Sequence, residues 1–471
     1  MKLTQLGSAM LFACLPLTTF AAALDRSGQS MQPFFQPGNY FEAGISVLDP
    51  NVSGVDNQGT RTGDMADDYY FVNAAIKAQL TDRISFGLLY DQPYGAAVTY
   101  SGENAFVAGP NDSLLPKPMT DAIIAQRMPQ LLDQAAEKLL GPGKTFDDVA
   151  PQLQNFVRRQ VEREANAGVD KVNQYLNDNV TGGTTVDVNT QNLAFVFGYQ
   201  PSKNWNLYAG GVYQTVKGDV ALRGTTYSLY NGYEADIAEN HAAGWLAGIA
   251  YEIPEIALKV SATYRSEIEH STHIKENITM LMPAAALLGL EEQALAIQNS
   301  KAKTKITTPQ SVNLDFQSGI MADTILFGNV RWVEWSNYSI QPHQFGQLSQ
   351  IIGNLGLVDK PNGFNLVDYS EDQWSANLGL GRMFNPKWSG TLSVGWDSGA
   401  GNPAPTLGPT EGFWNVGVGA RFTPQPGSEI SVGAKYLWLG DARAHTGAHT
   451  PAGNFTDNDA IAYGLKIAQR F

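Results

Sequence analysis

Cysteine is all but missing from this 471-residue chain: Cys14 is the one that occurs, in the first apolar stretch. If a leader is cut after Ala23, the mature protein holds no thiol, which excludes disulfide and thiolate chemistry. Long apolar runs are missing too. Beyond residue 23 nothing approaches the ~18 residues that a membrane-spanning helix requires. Positive charge is scarce, with 31 Lys and Arg against 45 Asp and Glu, and the net charge of −14 argues against a nucleic-acid partner. Histidine is rare: His241, His270, His273, His343, His445 and His449 all fall in or near expected loops. His270 and His273 are three apart beside a strand end and so face opposite sides, which speaks against zinc there. No nucleophile, base and orienting group stand together. Neither an enzyme nor a metal nor a cofactor is expected.

The abundant residues are 19 Tyr, 21 Phe, 9 Trp and 47 Gly. A spanning β-barrel accounts for them, because its strands show lipid an apolar side chain only at every second position while Trp and Tyr gather at the interfaces. The two ends agree. Lys2 gives a short basic region, 6–20 are mostly apolar, and Ala21-Ala22-Ala23 offers small residues for cleavage, so 1–23 are expected to be a signal peptide. Leu11-Phe12-Ala13-Cys14 weakly resembles a lipoprotein processing site, but the segment before it is unusually short for one. At the other end Ile461, Tyr463, Leu465, Ile467 and Phe471 share one parity, and Ala462, Gly464, Lys466, Ala468 and Arg470 the other. Strand side chains alternate between faces, so an apolar stripe lies opposite small or charged groups. Ending on an aromatic, this stretch is expected to be the closing strand of a bacterial outer-membrane barrel.

About fourteen strand candidates follow one another, at 40–48, 67–80, 84–100 (broken near Pro93), 184–199, 206–222, 244–251, 257–271, 303–318, 324–338, 373–383, 387–397, 412–422, 429–439 and 460–471. Their connections alternate in length. Those at 81–83, 201–205, 253–255, 322–323, 385–386 and 423–428 are short; those at 102–183, 223–243, 272–302, 339–372 and 440–459 are long. Short turns on one rim, long loops on the other and an even strand number are the layout of an antiparallel all-β transmembrane barrel. Residues 24–39 are then a short N-terminal plug segment, and 40–471 the barrel, with helical extracellular insertions at about 103–182 and 277–300.

The strand faces sort by chemistry. In 206–222 Tyr208, Val212, Val216, Val220 and Leu222 share one parity; Tyr213, Thr215, Lys217 and Asp219 share the other, which Arg223 continues. In 257–271 Leu258, Val260, Ala262, Tyr264 and Ile268 oppose Lys259, Ser261, Thr263, Arg265 and Glu267. A charge facing lipid is costly, so the charged parity is expected in the lumen. Lys217, Asp219, Arg223, Arg265 and Glu267 then form an internal polar network. It either fills the barrel or holds an anionic head group.

Two connections have helical character. In the first, Ile123, Ile124, Met128, Leu131, Leu132, Ala135 and Leu139 give one helix, Gly141-Pro142-Gly143 breaks it, and Phe146, Val149, Leu153, Phe156, Val157 and Val161 give a second. A helical hairpin on the barrel mouth is predicted. The second connection runs from Thr279 through Met280, Leu281, Met282, Leu287, Leu288 and Leu290 to Ile297 and is very apolar for an outer surface. It packs against the hairpin or offers an adaptable lipid-binding groove.

Tyr264-Arg265-Ser266-Glu267-Ile268 resembles the Tyr-Arg-Ser-Glu-Val/Ile signature of FadL-type long-chain fatty acid transporters (the OMPP1/FadL/TodX-like family). Asp49-Pro50-Asn51-Val52, Tyr90-Asp91-Gln92-Pro93-Tyr94-Gly95, Pro309, Trp335-Ser336-Asn337-Tyr338 and Phe413-Trp414 match in the same order, over roughly 38–471. The resemblance implies a fourteen-stranded barrel and passive diffusion of a hydrophobic cargo. That cargo would be captured between extracellular loops, passed to a pocket in the barrel and released sideways at a kink in the third strand. Here the kink is Asp91, Gln92, Pro93 and Gly95, because proline gives no ladder hydrogen bond and glycine weakens packing. Lateral release also avoids hydrating an acyl chain, at ~0.8 kcal/mol per methylene. The family's head-group arginine corresponds most nearly to Arg223, with Lys217 as the fallback; its second basic residue has no match. The family's longer plug and Asn-Pro-Ala motif are absent, leaving Met31, Phe34 and Phe35 as a short stopper.

The expected function is therefore outer-membrane transport of long-chain fatty acids or similar hydrophobic molecules. The protein would be a monomer amid outer-membrane lipid and lipopolysaccharide. The substrate-binding candidates are Arg223, Lys217, Arg265, Glu267, Leu287, Leu288, Met282, Phe34 and Phe35. Rival readings are an importer of alkanes or aromatic hydrocarbons, an outer-membrane lipolytic enzyme, and an adhesin or receptor using the hairpin.

Overall fold

The structure, a computed structural model, describes residues 24–471. The expected signal peptide, with Cys14, lies outside the described residues. Fourteen antiparallel staves close into one barrel. They are β1 (Tyr40–Asn51), β2 (Tyr69–Thr81), β3 (Ile84–Asp91, continued as Gly95–Thr99), β4 (Thr185–Tyr199), β5 (Trp205–Leu222), β6 (Tyr233–Ile253) and β7 (Leu258–Arg265, continued as Ile268–Thr272 and Ile274–Ile278). Next come β8 (Thr304–Thr308, then Ser311–Met321), β9 (Thr324–Val333), β10 (Gln373–Asn385), β11 (Trp388–Asp397), β12 (Phe413–Phe422), β13 (Ser428–Leu439) and β14 (Asp459–Arg470). Each pairs with its successor, and β14 returns to β1 from Tyr40↔Arg470 to Asn51↔Asp459. Closure removes both sheet edges, a condition for spanning a bilayer with strands.

The outer wall is apolar and ringed by aromatics. Along β10, Trp374, Leu378, Leu380 and Phe384 point outward and are 44–68% exposed. Ten residues at ~3.3 Å each, tilted by ~40°, span about 25 Å, the height of the lipid-facing band. Ile461, Tyr463, Leu465 and Ile467 of β14 face outward as well, while Lys466 turns in to Glu42 at 3.2 Å. No helix among the described residues is long and apolar enough to cross a membrane.

Several staves rise well above this band. β6 begins at Tyr233 rather than near 244, and its first turns carry Glu234, Asp236 and Glu239 on the exposed side. Acidic residues above the bilayer face water at no cost, so this piece of strand lacks the apolar stripe that marks the lipid-facing half.

Helices α1 (Lys117–Leu140) and α2 (Pro151–Asn179) form the expected hairpin, broken at Gly141, whose φ of +104° suits glycine. Leu132, Ala136, Val149, Val157 and Val161 make its own apolar seam. The apolar connection folds as α3 (Leu281–Leu288) and α4 (Glu291–Asn299), and α5 (His343–Asn354) rises from a stretch expected to be plain loop. A four-stranded cap of Gly54–Asp56, Pro451–Phe455, Ala442–His445 and Ala404–Pro405 completes the mouth. Tyr100, Phe106, Tyr227, Tyr230, Phe345 and Phe455 fill the space beneath. The Tyr227 hydroxyl bonds to Thr406 at 3.1 Å, and burial pushes its pKa up to about 12.

Candidate functional site

At the extracellular end α3, α4 and α5 enclose a narrow apolar groove, lined by Leu229, Met280, Leu281, Leu288, Ile351 and Leu355 among others. α3 is eight residues of almost pure Leu, Met, Pro and Ala, so one turn buries Leu281, Ala284 and Ala285 while the next offers Leu288 to the groove. Of the candidates named from sequence, Leu288 lines this groove. Met282 and Leu287 stand beside it, and the Leu287 carbonyl accepts a hydrogen bond from Arg127 of α1.

Below the mouth, residues 24–39 run inside the barrel. Leu24 and Arg26 add to the kink of β3 as a short strand: Gly95 N–H donates to the Leu24 carbonyl at 2.9 Å, and Arg26 N–H to the Pro93 carbonyl at 2.6 Å. Ser27 donates to Asp91. Asp25 pairs with Arg331 of β9 at 2.7 Å, both side chains being wholly buried. The same guanidinium donates to Asn313 at 2.6 Å and to Gln29 at 3.1 Å. Lower down, Phe34 and Phe35 pack on Tyr208, with ring centroids 5.7 and 5.3 Å away. The Phe35 carbonyl accepts from Lys259 at 2.9 Å.

The kink interrupts the backbone ladder. β2 pairs with β3 only from Ala74↔Tyr90 onward, and β3 leaves β4 after Asp91↔Asn192 to rejoin it at Gly95↔Asn189. Tyr69–Asn73 therefore lacks a backbone ladder on that side, and side chains stitch the seam instead. Val72 N–H donates to the Gln92 side chain at 3.1 Å, while the Tyr69 hydroxyl donates to the Ala97 carbonyl at 3.1 Å and accepts from its N–H at 2.9 Å. Proline at 93 has no N–H to give, and a Cβ on Gly95 would stand 2.6 Å from the Val188 carbonyl, so this sequence cannot form a continuous ladder here.

A cavity lies against the seam. Phe71, Val72, Leu89, Ala194 and Val212 supply its apolar wall. Arg265 supplies a cationic one; its guanidinium is buried, and Nη1 has no hydrogen-bond partner among the described residues.

The remaining candidates lie elsewhere, and three expectations need correction. Lys217 and Asp219 face outward, because the apolar parity of β5 (Val212, Val216, Val220) packs inward. Their height is the reason: the upper half of β5 stands in water, where an outward charge costs nothing. Glu267 also faces out. β7 breaks at Ser266, whose N–H and Oγ both bond to Trp245 at 3.0 Å, and a one-residue slip there moves later side chains to the other face. Arg223 sits at the rim, its guanidinium held by Glu234 at 2.5 Å and by the Thr181, Leu222 and Tyr233 carbonyls. Of the five charges expected to form the internal network, Arg265 alone projects into the lumen.

Sequence reasoning missed Arg331. An isolated charge between Val330 and Trp332, on the inward parity of a membrane-spanning strand, was the available signal. Asp25 gave none, since its partner is 306 residues away.

Residues 171–471 match the family model "Outer membrane protein transport protein (OMPP1/FadL/TodX)". No curated protein sequence shows significant similarity to the chain. Among solved structures, a Pseudomonas aeruginosa FadL homologue superposes with a TM-score of 0.61 at 13% identity, covering 93% of this chain and 92% of that one. The Pseudomonas putida toluene transporter TodX superposes with a TM-score of 0.51 at 10% identity, covering 93% and 91%. At these identities the structural likeness carries the fold alone.

Proposed function

The chain belongs to the outer-membrane transport family OMPP1/FadL/TodX, whose members carry hydrophobic small molecules, and from that premise we propose that it is a passive importer of long-chain fatty acids. The cargo is taken up in the groove of α3, α4 and α5, reaches the cavity at Arg265 and leaves sideways between β2 and β3. No energy source is needed: each site buries acyl surface that water would otherwise hydrate, and the bilayer is the final sink.

One observation carries this reading. The cavity abuts the seam, sets an apolar wall of Phe71, Val72, Leu89 and Val212 against polar groups, and contains a buried guanidinium whose Nη1 has no hydrogen-bond partner among the described residues. A carboxylate would satisfy that donor, and such charge-assisted hydrogen bonds are the stronger kind. The test is oleate binding to the purified protein in detergent, compared with Arg265→Ala. The variant is expected to weaken oleate by about 1.5–3 kcal/mol, the range for a hydrogen bond to a charged group. Unchanged affinity would remove Arg265 from the site.

Charge balance favours a second reading. Arg265 and Lys466 line the cavity together with Asp91 and Glu42, so it has no net cationic excess. An uncharged aromatic or alkane cargo suits such a site. For it, Arg265→Ala leaves uptake unchanged while an apolar-to-polar change at Val72 or Leu89 lowers it.

A further inference from the structure

Three side chains with metal-ligating atoms meet on the extracellular rim, away from the cargo path. His445 ends the cap strand Ala442–His445, His449 stands on the turn that follows, and Asp368 ends the short strand Val367–Asp368. The turn is tight: Thr446 N–H donates to the Thr450 carbonyl at 3.0 Å, and His449 N–H to the Thr446 carbonyl at 2.8 Å. It sets the two imidazole rings 4.6 Å apart, centroid to centroid. His449 takes a left-handed φ of +58°, an uncommon conformation for a residue with a side chain and one that directs its ring at Asp368. One ligand atom from each of the three residues lies within 4.8 Å of the other two.

Each potential ligand is oriented by a neighbour. The Thr446 carbonyl receives Nδ1–H of His445 at 2.7 Å, and the Pro403 carbonyl also neighbours the ring. Asn365 donates to Oδ2 of Asp368 at 3.0 Å, while Oδ1 lies 3.1 Å from Nε2 of His449. Lys360 Nζ lies 3.1 Å from Nδ1 of His449, so both nitrogens of this ring have a neighbour that fixes its aim. Outer-shell partners of this kind are what fix the tautomer and aim of ligating residues.

We propose that Asp368, His445 and His449 bind a divalent transition-metal ion of the Zn²⁺ class, with water in the fourth position. Two imidazoles and a carboxylate select Zn²⁺, Cu²⁺ or Ni²⁺ over Mg²⁺ and Ca²⁺, which take oxygen ligands. Tetrahedral ligands about 2.1 Å from zinc sit ~3.4 Å from one another, so modest side-chain rotation closes the present spacing. Binding at Nε2 of His449 moves the ring proton to Nδ1 and displaces the Lys360 ammonium from that atom, and the net charge of −14 draws cations to the rim. The ion joins two loops. Asp368 belongs to the connection that carries α5, one wall of the apolar groove, and both histidines belong to the connection between β13 and β14. The bound metal therefore clamps α5 to the cap.

The experiment is isothermal titration of the purified full-length barrel in detergent with ZnCl₂, and with MgCl₂ as a control. His449→Ala and Asp368→Asn are the variants, since both positions are solvent-accessible and the barrel does not depend on them for folding; heat-shifted gel mobility verifies that. The parent protein is expected to bind one zinc ion and no magnesium, with each variant weakened by about tenfold or more. Amide exchange in α5 should slow with zinc in the parent and not in His449→Ala. Absence of saturable zinc binding by the parent, or a smaller loss in both variants, overturns the site.

Discussion

Asp25 and Arg331 form an ion pair at 2.7 Å with neither side chain exposed, and it ties the N-terminal segment to the far wall of the barrel. Breaking a buried pair on one side costs about 3–5 kcal/mol, because the remaining charge stays desolvated. Arg331→Ala should therefore release residues 24–39 from the lumen while the closed barrel persists. Amide exchange is the measurement: Arg26 and Gly95, now bonded to one another's segment, should lose protection in the variant. Protection equal to the parent would show that Phe34, Phe35 and Lys259 hold the segment without the pair.

The seam between β2 and β3 makes its own prediction. Three hydrogen bonds from Gln92 and Tyr69 replace the missing ladder, and each contributes about 0.5–1.5 kcal/mol. Gln92→Ala with Tyr69→Phe removes all three and keeps the aromatic ring on which Arg26 stacks at 4.0 Å. If cargo leaves here, initial uptake in proteoliposomes should rise several-fold while equilibrium binding stays unchanged. An unchanged rate would place the exit elsewhere, with the downward route past Phe34 and Phe35 the next candidate.

The barrel was legible because lipid imposes a period of two on every stave, and Pro93 with Gly95 marked the kink because their backbone chemistry is local. Which face of a stave is the inner one was not legible from parity. Lys217 and Glu267 show why: one lies above the bilayer, where outward charge is free, and the other follows a break that flips the register. Contacts of long sequence range were equally hidden. Asp25 with Arg331, and Asp368 with His445 and His449, each join segments with no shared local pattern. α5 escaped although Phe345, Leu348 and Ile352 recur at helical spacing, because Gly346 and Gly353 break up a stretch of only twelve residues inside a long connection.

Glu411, in the extracellular connection before β12, is the basis of a pH prediction. Burial raises its pKa from 4.5 to about 7, opposed by a hydrogen bond from the Gly401 backbone and reinforced by Glu371. Its Oε2 has no hydrogen-bond partner among the described residues. The folded loop thus holds a proton that the unfolded loop has already lost between about pH 4.5 and 7, so loop stability falls as pH rises through that window and is flat outside it. Amide exchange over residues 399–412, followed from pH 4 to 8, should accelerate beyond the intrinsic rate across this range, and Glu411→Gln should flatten the profile. A parent profile without excess acceleration would mean that the carboxyl is solvated in the loop's working state.

The outer half of the α1–α2 hairpin separates transport from the adhesin reading. Its apolar seam of Leu132, Ala136, Val149, Val157 and Val161 is independent of the mouth, whereas the inner ends contribute Leu114, Leu115, Ile123 and Leu176 to the core over the barrel. Replacing about residues 128–166 with a short Gly-Ser linker therefore removes one self-contained cluster and leaves the other. Closing a loop across the cut costs little, since loop entropy grows only as the logarithm of length. The shortened protein should insert and fold as a barrel, and fatty acid uptake should remain within about twofold of the parent, a change under 0.5 kcal/mol. Exposed Leu153 and Phe156 near the tip would then be free to serve a contact other than cargo capture. Loss of uptake with the barrel intact would instead make the hairpin part of the capture surface, because α2 packs against α3 and both would be shown to shape the groove.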